Sequence, residues 1–242
     1  MSFTTRTRVG EIAAANPGAK KVLEEAGVDY CCGGAKSLNE ACMHTGTSAE
    51  EILRRLQENR QQLGPQEADW ARAPLADLTK HILEKHHKYV RRAVPRVTAL
   101  LAKVKARHAE SHPELAAIEK EFLRLGEEMH AHMQKEEQIL FPYIEKLERA
   151  TEGREQLEPP FFQTVRHPVH VMMKEHDSAG QALHEMHRLS TGYKAPAEAC
   201  ESYREAYRSL EEFEADMHAH VHLENNILFP RAVELEAKIL PR

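Results

Sequence analysis

The sequence predicts an all-α protein, an up-down-up-down four-helix bundle preceded by a small helical domain. Three observations carry this. Beyond residue 74 the apolar residues recur in alternating steps of three and four, the period of one helix face, in four separate segments. One phrase occurs twice, MHAHMQKEEQILFP at 129–142 and MHAHVHLENNILFP at 217–230, so the second and fourth helices are variants of one another. Glycine and proline fall between the segments, leaving connections short enough to favour antiparallel neighbours.

In chain order, residues 1–62 form a small N-terminal domain. EIAAANPGAKKVLEEAG reads as two short helices broken at Pro17 and Gly18, followed by the turn-like DYCCGG and a helix from Ala49 to Gln62. A polar stretch, ENRQQLGPQEADW, marks a linker at 63–74. The bundle occupies 75–242. Its first stripe is Leu83, His87, Val90, Val94, Val97, Leu101 and Val104. The second is Leu115, Ile118, Phe122, Leu125, Met129, His132, Glu136, Ile139 and Tyr143. The third runs Val165, Val169, Met172, His176, Ala179, Leu183 and Met186, and the fourth Tyr203, Ala206, Leu210, Phe213, Met217, His220, Glu224 and Ile227. Ser111 and Pro113 open the second helix, Gly153 with Pro159 and Pro160 precede the third, and Gly192 with Pro196 precede the fourth. Pro95, Pro142 and Pro230 lie inside the pattern, where a proline removes a backbone hydrogen bond at a cost of about 3 kcal/mol, so local kinks are expected.

Composition narrows the function. A net charge of −5, from 33 basic and 38 acidic residues, offers no positive field for a phosphate backbone, which argues against nucleic acid as a partner. No apolar run approaches the ~20 residues that span a bilayer, and MSFTTRTRVGEI lacks the hydrophobic stretch of a signal peptide. A cytoplasmic location is expected. Four cysteines, two of them adjacent at Cys31 and Cys32, are too few and too unevenly spaced for a secreted disulfide framework. Gly33 and Gly34 after the pair allow tight turning and exposure, so these thiols are candidates for soft-metal binding, mixed disulfides or electron exchange, the alternative being small apolar residues packed in a modest core. Cys42 and Cys200 read as packing residues.

The chemistry sits on the stripes. His132 and Glu136, and again His220 and Glu224, are four residues apart, so each pair shares one helix face with Cβ atoms about 5–6 Å apart. His87 precedes His132 by 45 residues and His176 precedes His220 by 44, so the repeat extends to helix pairs. One such His and Glu pairing arises easily by chance in a charged helix. Four His and two Glu on predicted core seams do not, because buried carboxylates among Leu, Ile and Phe cost several kcal/mol unless a cation neutralises them. Imidazole and carboxylate donors in this number suit two metal ions and favour iron or manganese over calcium, with zinc chemically allowed. His130 and His218 fall on helix flanks, and His81, His86, His170 and His222 read as surface residues or neighbours of the ligands. Glu128 and Glu175 are placed to orient ligand imidazoles or relay protons.

DYCCGG at 29–34, HMQKEEQILFP, the EHDSAG segment around His176 and HVHLENNILFP together resemble the repair-of-iron-centres family, also called ScdA or YtfE. The resemblance spans nearly the whole chain. It implies a hemerythrin-like bundle with a non-haem centre of two iron ions, carboxylate-bridged and with an oxo or hydroxo bridge. By position the ligands would be His87, His132, Glu136, His176, His220 and Glu224. The function so implied is repair of iron–sulfur clusters damaged by nitrosative or oxidative stress, by supplying iron, with Cys31 and Cys32 in redox or iron transfer. Iron–sulfur proteins or a scaffold would accept the iron, nitric oxide or oxygen would be the small ligands, and a homodimer is compatible. Two rival functions fit the same residues: a nitric oxide reductase acting at the di-iron centre, and a carrier or sensor of oxygen or nitric oxide.

Overall fold

The computed structural model describes residues 3–15, 17–43, 45–58, 69–154, 156–158 and 160–240. Helices dominate, and among the described residues the one β feature is an isolated bridge between Arg8 and Ser37. The chain divides into two compact units: residues 1–79, 144–160 and 218–242, and residues 80–143 with 161–217.

In the first unit, α1 (Val9–Ala15), α2 (Pro17–Glu25), α3 (Leu38–Cys42) and α4 (Ala49–Glu58) enclose a core that includes Val9, Ile12, Leu23, Tyr30, Leu38, Ile52 and Leu56. Local chemistry sets the ends. Ser37 and Glu40 form a reciprocal capping box on α3, and the Ser48 hydroxyl accepts the Glu51 amide at the start of α4. The break expected at Pro17 and Gly18 is displaced, since Pro17 opens α2 and the helix runs on through Gly18. Proline's preset φ and missing N–H suit the first turn, where that donor has no helical partner. The expected helix end at Gln62 and residues 63–68 of the 63–74 linker lie outside the described residues, as does Pro159. The same unit holds the start of α5 (Leu75–His81), most of α8 (Phe141–Thr151) and all of α11 (Phe229–Ile239). Glu148 caps α5 from a distance, accepting the amides of Leu75 at 2.6 Å and Ala76 at 3.0 Å.

In the second unit, α6 (Lys88–His108), α7 (Glu114–Lys135), α9 (Arg166–Leu189) and the first part of α10 (Glu201–Leu223) pack antiparallel. His87 pairs with Glu137 and Lys105 with Glu119, which runs α7 back along α6. His132 with Glu175 and Glu128 with Ser178 reverse α9 against α7, and His86 with Asp216 and Arg96 with Ser209 reverse α10 against α6. Phe122 and Phe213 meet edge to face at 5.2 Å, a contact worth about 0.5–1.5 kcal/mol beyond its burial. The third and fourth stripes are buried throughout.

The first and second stripes slip by one residue. Three π turns, Ile82–His87, Glu136–Leu140 and Glu224–Leu228, each widen the helix by a residue, and the Phe141 and Phe229 amides reach back five positions to Glu136 and Glu224. The face therefore passes from Glu136 to Leu140 and Ile144, which are buried, while Ile139 is 38% exposed. On the first helix Ile82 is buried in place of Leu83, five residues before His87. Where kinks were expected at Pro142 and Pro230, a π turn ends two residues ahead of each proline.

Candidate metal centre

Within the second unit four of the expected donors meet. Glu136, at the first position of its π turn, is fully buried, and its Oε2 lies 3.3 Å from Nε2 of His87 and 3.3 Å from Nε2 of His132. His176 Nε2 approaches His132 Nε2 at 3.1 Å, and the donor atoms of His132, Glu136 and His176 all lie within 4.8 Å of one another.

The outer nitrogens show how the rings are held. His87 Nδ1 is 2.7 Å from Glu137, whose two oxygens each accept from Arg91 at 2.7 Å, and the ring stacks on Phe141. His132 Nδ1 is 2.9 Å from Glu175, which also pairs with Lys135. The His132 hydrogen bond, with Lys135 beside it, outweighs partial burial and lowers the Glu175 carboxyl to about 2. Burial pushes Glu137 upward, but hydrogen bonds from Arg91 and His87 overcome it and hold the carboxyl below its usual range. With both carboxylates accepting from Nδ1–H, the Nε2 atoms of His87 and His132 are left facing Glu136.

Two imidazole lone pairs facing one carboxylate oxygen repel unless positive charge lies among them. Protonating the rings would supply it at the cost of burying imidazolium ions, whereas one dication satisfies the rings and the carboxylate together. The donor set thus fits a divalent metal of the iron or zinc type.

Within the first unit His220 Nε2 lies 2.9 Å from Glu224 Oε1, both side chains fully buried, repeating the offset of His132 and Glu136. The residues around this copy differ. Where the first has Glu137 and Gln138, the second has Asn225 and Asn226, and these face the cysteine loop. Asn226 Nδ2 donates to the carbonyl of Tyr30 at 3.0 Å and to that of Cys31 at 3.3 Å, and Asn225 Nδ2 reaches Cys31 O at 3.4 Å. Tyr30 packs edge-on against His222 at 5.4 Å. Burial, with Lys20 nearby, lowers His222 to about 3 and keeps it neutral.

Several sequence expectations change here. Cys31 is buried, and only Cys32 is partly open, because the loop is drawn onto the helix. His86 and His222 are interior residues, His86 pairing with Asp216 at 2.9 Å. Glu175 does orient His132, but Glu128 is taken by Arg124 and Ser178. Glu137, the partner of His87, went unrecognised although it directly follows a predicted ligand. Cys42 packs against the N-terminal core as expected, while Cys200 lies 3.3 Å from His108.

Comparison with known proteins matches residues 78–232 to the hemerythrin HHE cation binding domain and residues 5–60 to a domain of unknown function, DUF542. A probable iron-sulfur cluster repair protein of Haemophilus influenzae is 33% identical over 96% of this chain and 99% of its own length. The iron-sulfur cluster repair protein YtfE of Citrobacter koseri is 34% identical over 96% and 99%, and that of Escherichia coli O8 34% identical over 93% and 96%. No helix among the described residues is long and apolar enough to cross a membrane.

Proposed function

The chain belongs to the repair-of-iron-centres family, built on a hemerythrin HHE cation binding domain, and we propose that it is a di-iron protein that repairs damaged iron–sulfur clusters by supplying iron. The observation that carries this reading is the buried Glu136 carboxylate, faced by the Nε2 atoms of two histidines whose Nδ1 atoms are anchored elsewhere. His87, His132, Glu136 and His176, together with His220 and Glu224, would hold two iron ions bridged by carboxylate and by an oxo or hydroxo group. The repeat supports the full set of six, and so does one family model running unbroken from 78 to 232. Bound there, the irons would supply reversible one-electron chemistry and open coordination positions.

The chain's own residues do the rest. Glu137 and Glu175 fix tautomer and ring direction, and buried surroundings keep water away from Glu136. Because loss of iron takes two dications from beside buried carboxylates, release is coupled to proton uptake or to a change in conformation. Cys31 and Cys32, in a 1–62 domain joined by a 63–74 linker to the 75–242 bundle, serve redox or iron transfer. Damage by nitric oxide or peroxide sets the occasion, the cytoplasm is the compartment, and iron–sulfur proteins or a scaffold are the acceptors, with a homodimer compatible.

Iron-loaded, reduced protein should be incubated anaerobically with an apo iron–sulfur acceptor, sulfide and a thiol reductant. Cluster formation in step with iron loss from this protein is expected. Repeated formation of nitrous oxide from nitric oxide, with the iron retained, would instead establish a nitric oxide reductase. A stable gas complex with neither outcome would establish a carrier or sensor.

A further inference from the structure

We propose that Asp29, Cys31 and Cys32 form a second metal site, separate from the His and Glu donors, which chelates a thiophilic divalent cation such as ferrous iron. The three side chains each offer a donor atom within 4.8 Å of the others. The sulfurs are 3.9 Å apart, and Asp29 Oδ1 is 3.2 Å from Cys31 Sγ. With metal–sulfur bonds of about 2.3 Å, two thiolates on a tetrahedral ion stand about 3.8 Å apart, and a thiolate and a carboxylate oxygen about 3.6 Å. A disulfide needs about 2.0 Å. The vicinal pair is therefore spread to the width of a chelate.

The donors are held in advance of any ion. Asp29 Oδ1 accepts the amides of Cys31 and Cys32, each at 3.0 Å, and Oδ2 accepts that of Gly33 at 2.9 Å, so the carboxylate is locked beneath the loop. Asn225 and Asn226 hold the loop from the other side through the Tyr30 and Cys31 carbonyls. The two glycines allow this closeness, since a Cβ on Gly33 would lie 2.6 Å from Asp29 O and one on Gly34 2.1 Å from Asn226 Oδ1. Asp29 is exposed and Cys32 half-buried, which leaves a face through which an ion could arrive and depart.

The charge balance favours a cation. The hydrogen bond with Cys32, burial and the Asp29 carboxylate together push the Cys31 thiol well above its usual range, so at rest it keeps its proton, with Cys32 Sγ and Asp29 Oδ1 as the acceptors within reach. A dication would take that place. Binding one ion to two thiols and one carboxylate releases both thiol protons to solvent, with no change of oxidation state. The remaining coordination position would go to water or to a ligand from an acceptor. This deepens the iron-donor reading, on which it rests only for the identity of the natural ion: iron leaving the bundle would have a thiolate site to occupy.

The test is anaerobic titration of iron-loaded, full-length protein with cobalt(II). A thiolate-to-cobalt charge-transfer band saturating at one equivalent is expected, with release of two protons, while the bundle iron stays constant. Cys32→Ser should abolish the band and retain the iron. Should Cys32→Ser also lose iron, Asp29→Asn carries the same test, because it keeps a carbonyl oxygen for the Cys31 and Cys32 amides; at least tenfold weaker cobalt binding is expected. Absence of the band in the unmodified protein, or its persistence at full strength in these variants, overturns the proposal. Failure of the iron-donor reading would appear separately, as no cluster formation on an acceptor while the cobalt band is present.

Discussion

Glu137 and Glu175 show how much of the candidate centre depends on residues that need not touch a metal. Each accepts from the Nδ1 of one imidazole and is steadied by a cation, Arg91 or Lys135. Glu137→Ala should weaken iron retention about 10–100-fold in a chelator competition, the usual cost of losing such a partner, and unchanged retention would remove its orienting role. Glu136→Leu should have two opposed effects. Iron bound per chain falls, while the metal-free protein melts higher, because a carboxylate costing several kcal/mol to bury is gone. A metal-free variant that melts lower would contradict the electrostatic reading. The ligand candidates were legible because each interrupts an apolar stripe, a pattern visible in one dimension. Glu137 was not, since its partner lies 50 positions away on another helix and nothing in sequence separates it from a solvated glutamate. The roles of Asn225 and Asn226 were hidden for the same reason.

Each π turn joins an α-helical stripe to one displaced by a residue, and in two of the three the turn opens with a candidate ligand glutamate. A proline follows each of these two turns closely, where an ordinary α turn would set its ring against the carbonyl four residues back. Deleting Ile139, which is exposed within its turn, should let the helix close to a regular α form and keep Leu140 and Ile144 facing the core. Pro142 would then stand in an ordinary helix interior at a cost of about 3 kcal/mol. The deletion combined with Pro142→Ala should recover most of that loss in chemical denaturation, and equal instability of the single and double variants would contradict this role for the turn. Periodicity found all four bundle helices because α spacing holds over most of their length. It misplaced Leu83 and Ile139 because a five-residue step has no signature in composition. In the N-terminal segment, Gly34→Ala should loosen the cysteine loop, since the added carbon would meet Asn226 Oδ1 at 2.1 Å. Faster alkylation of Cys31 is the expected result, and an unchanged rate would show that the loop is held by something else.

For the whole molecule, folding and metal binding should be one linked equilibrium. The chain buries Glu136 and Glu224 completely, so the folded state carries a charge cost that two dications would lift. A ligand present at about a thousand times its Kd adds about 4.1 kcal/mol to stability, so removing iron with a chelator should lower the melting temperature by several degrees. The duplicated phrase gives this linkage a symmetric origin, with one copy surrounded by charged pairs and the other turned toward the cysteine loop. All of it depends on the six donors gathering two irons. Metal analysis with Mössbauer spectroscopy on protein purified without oxygen decides that point. Two irons per chain, antiferromagnetically coupled once oxidised and reduced to one or none by Glu136→Leu, are expected; a single zinc, or iron indifferent to substitution of these residues, would be the contrary result.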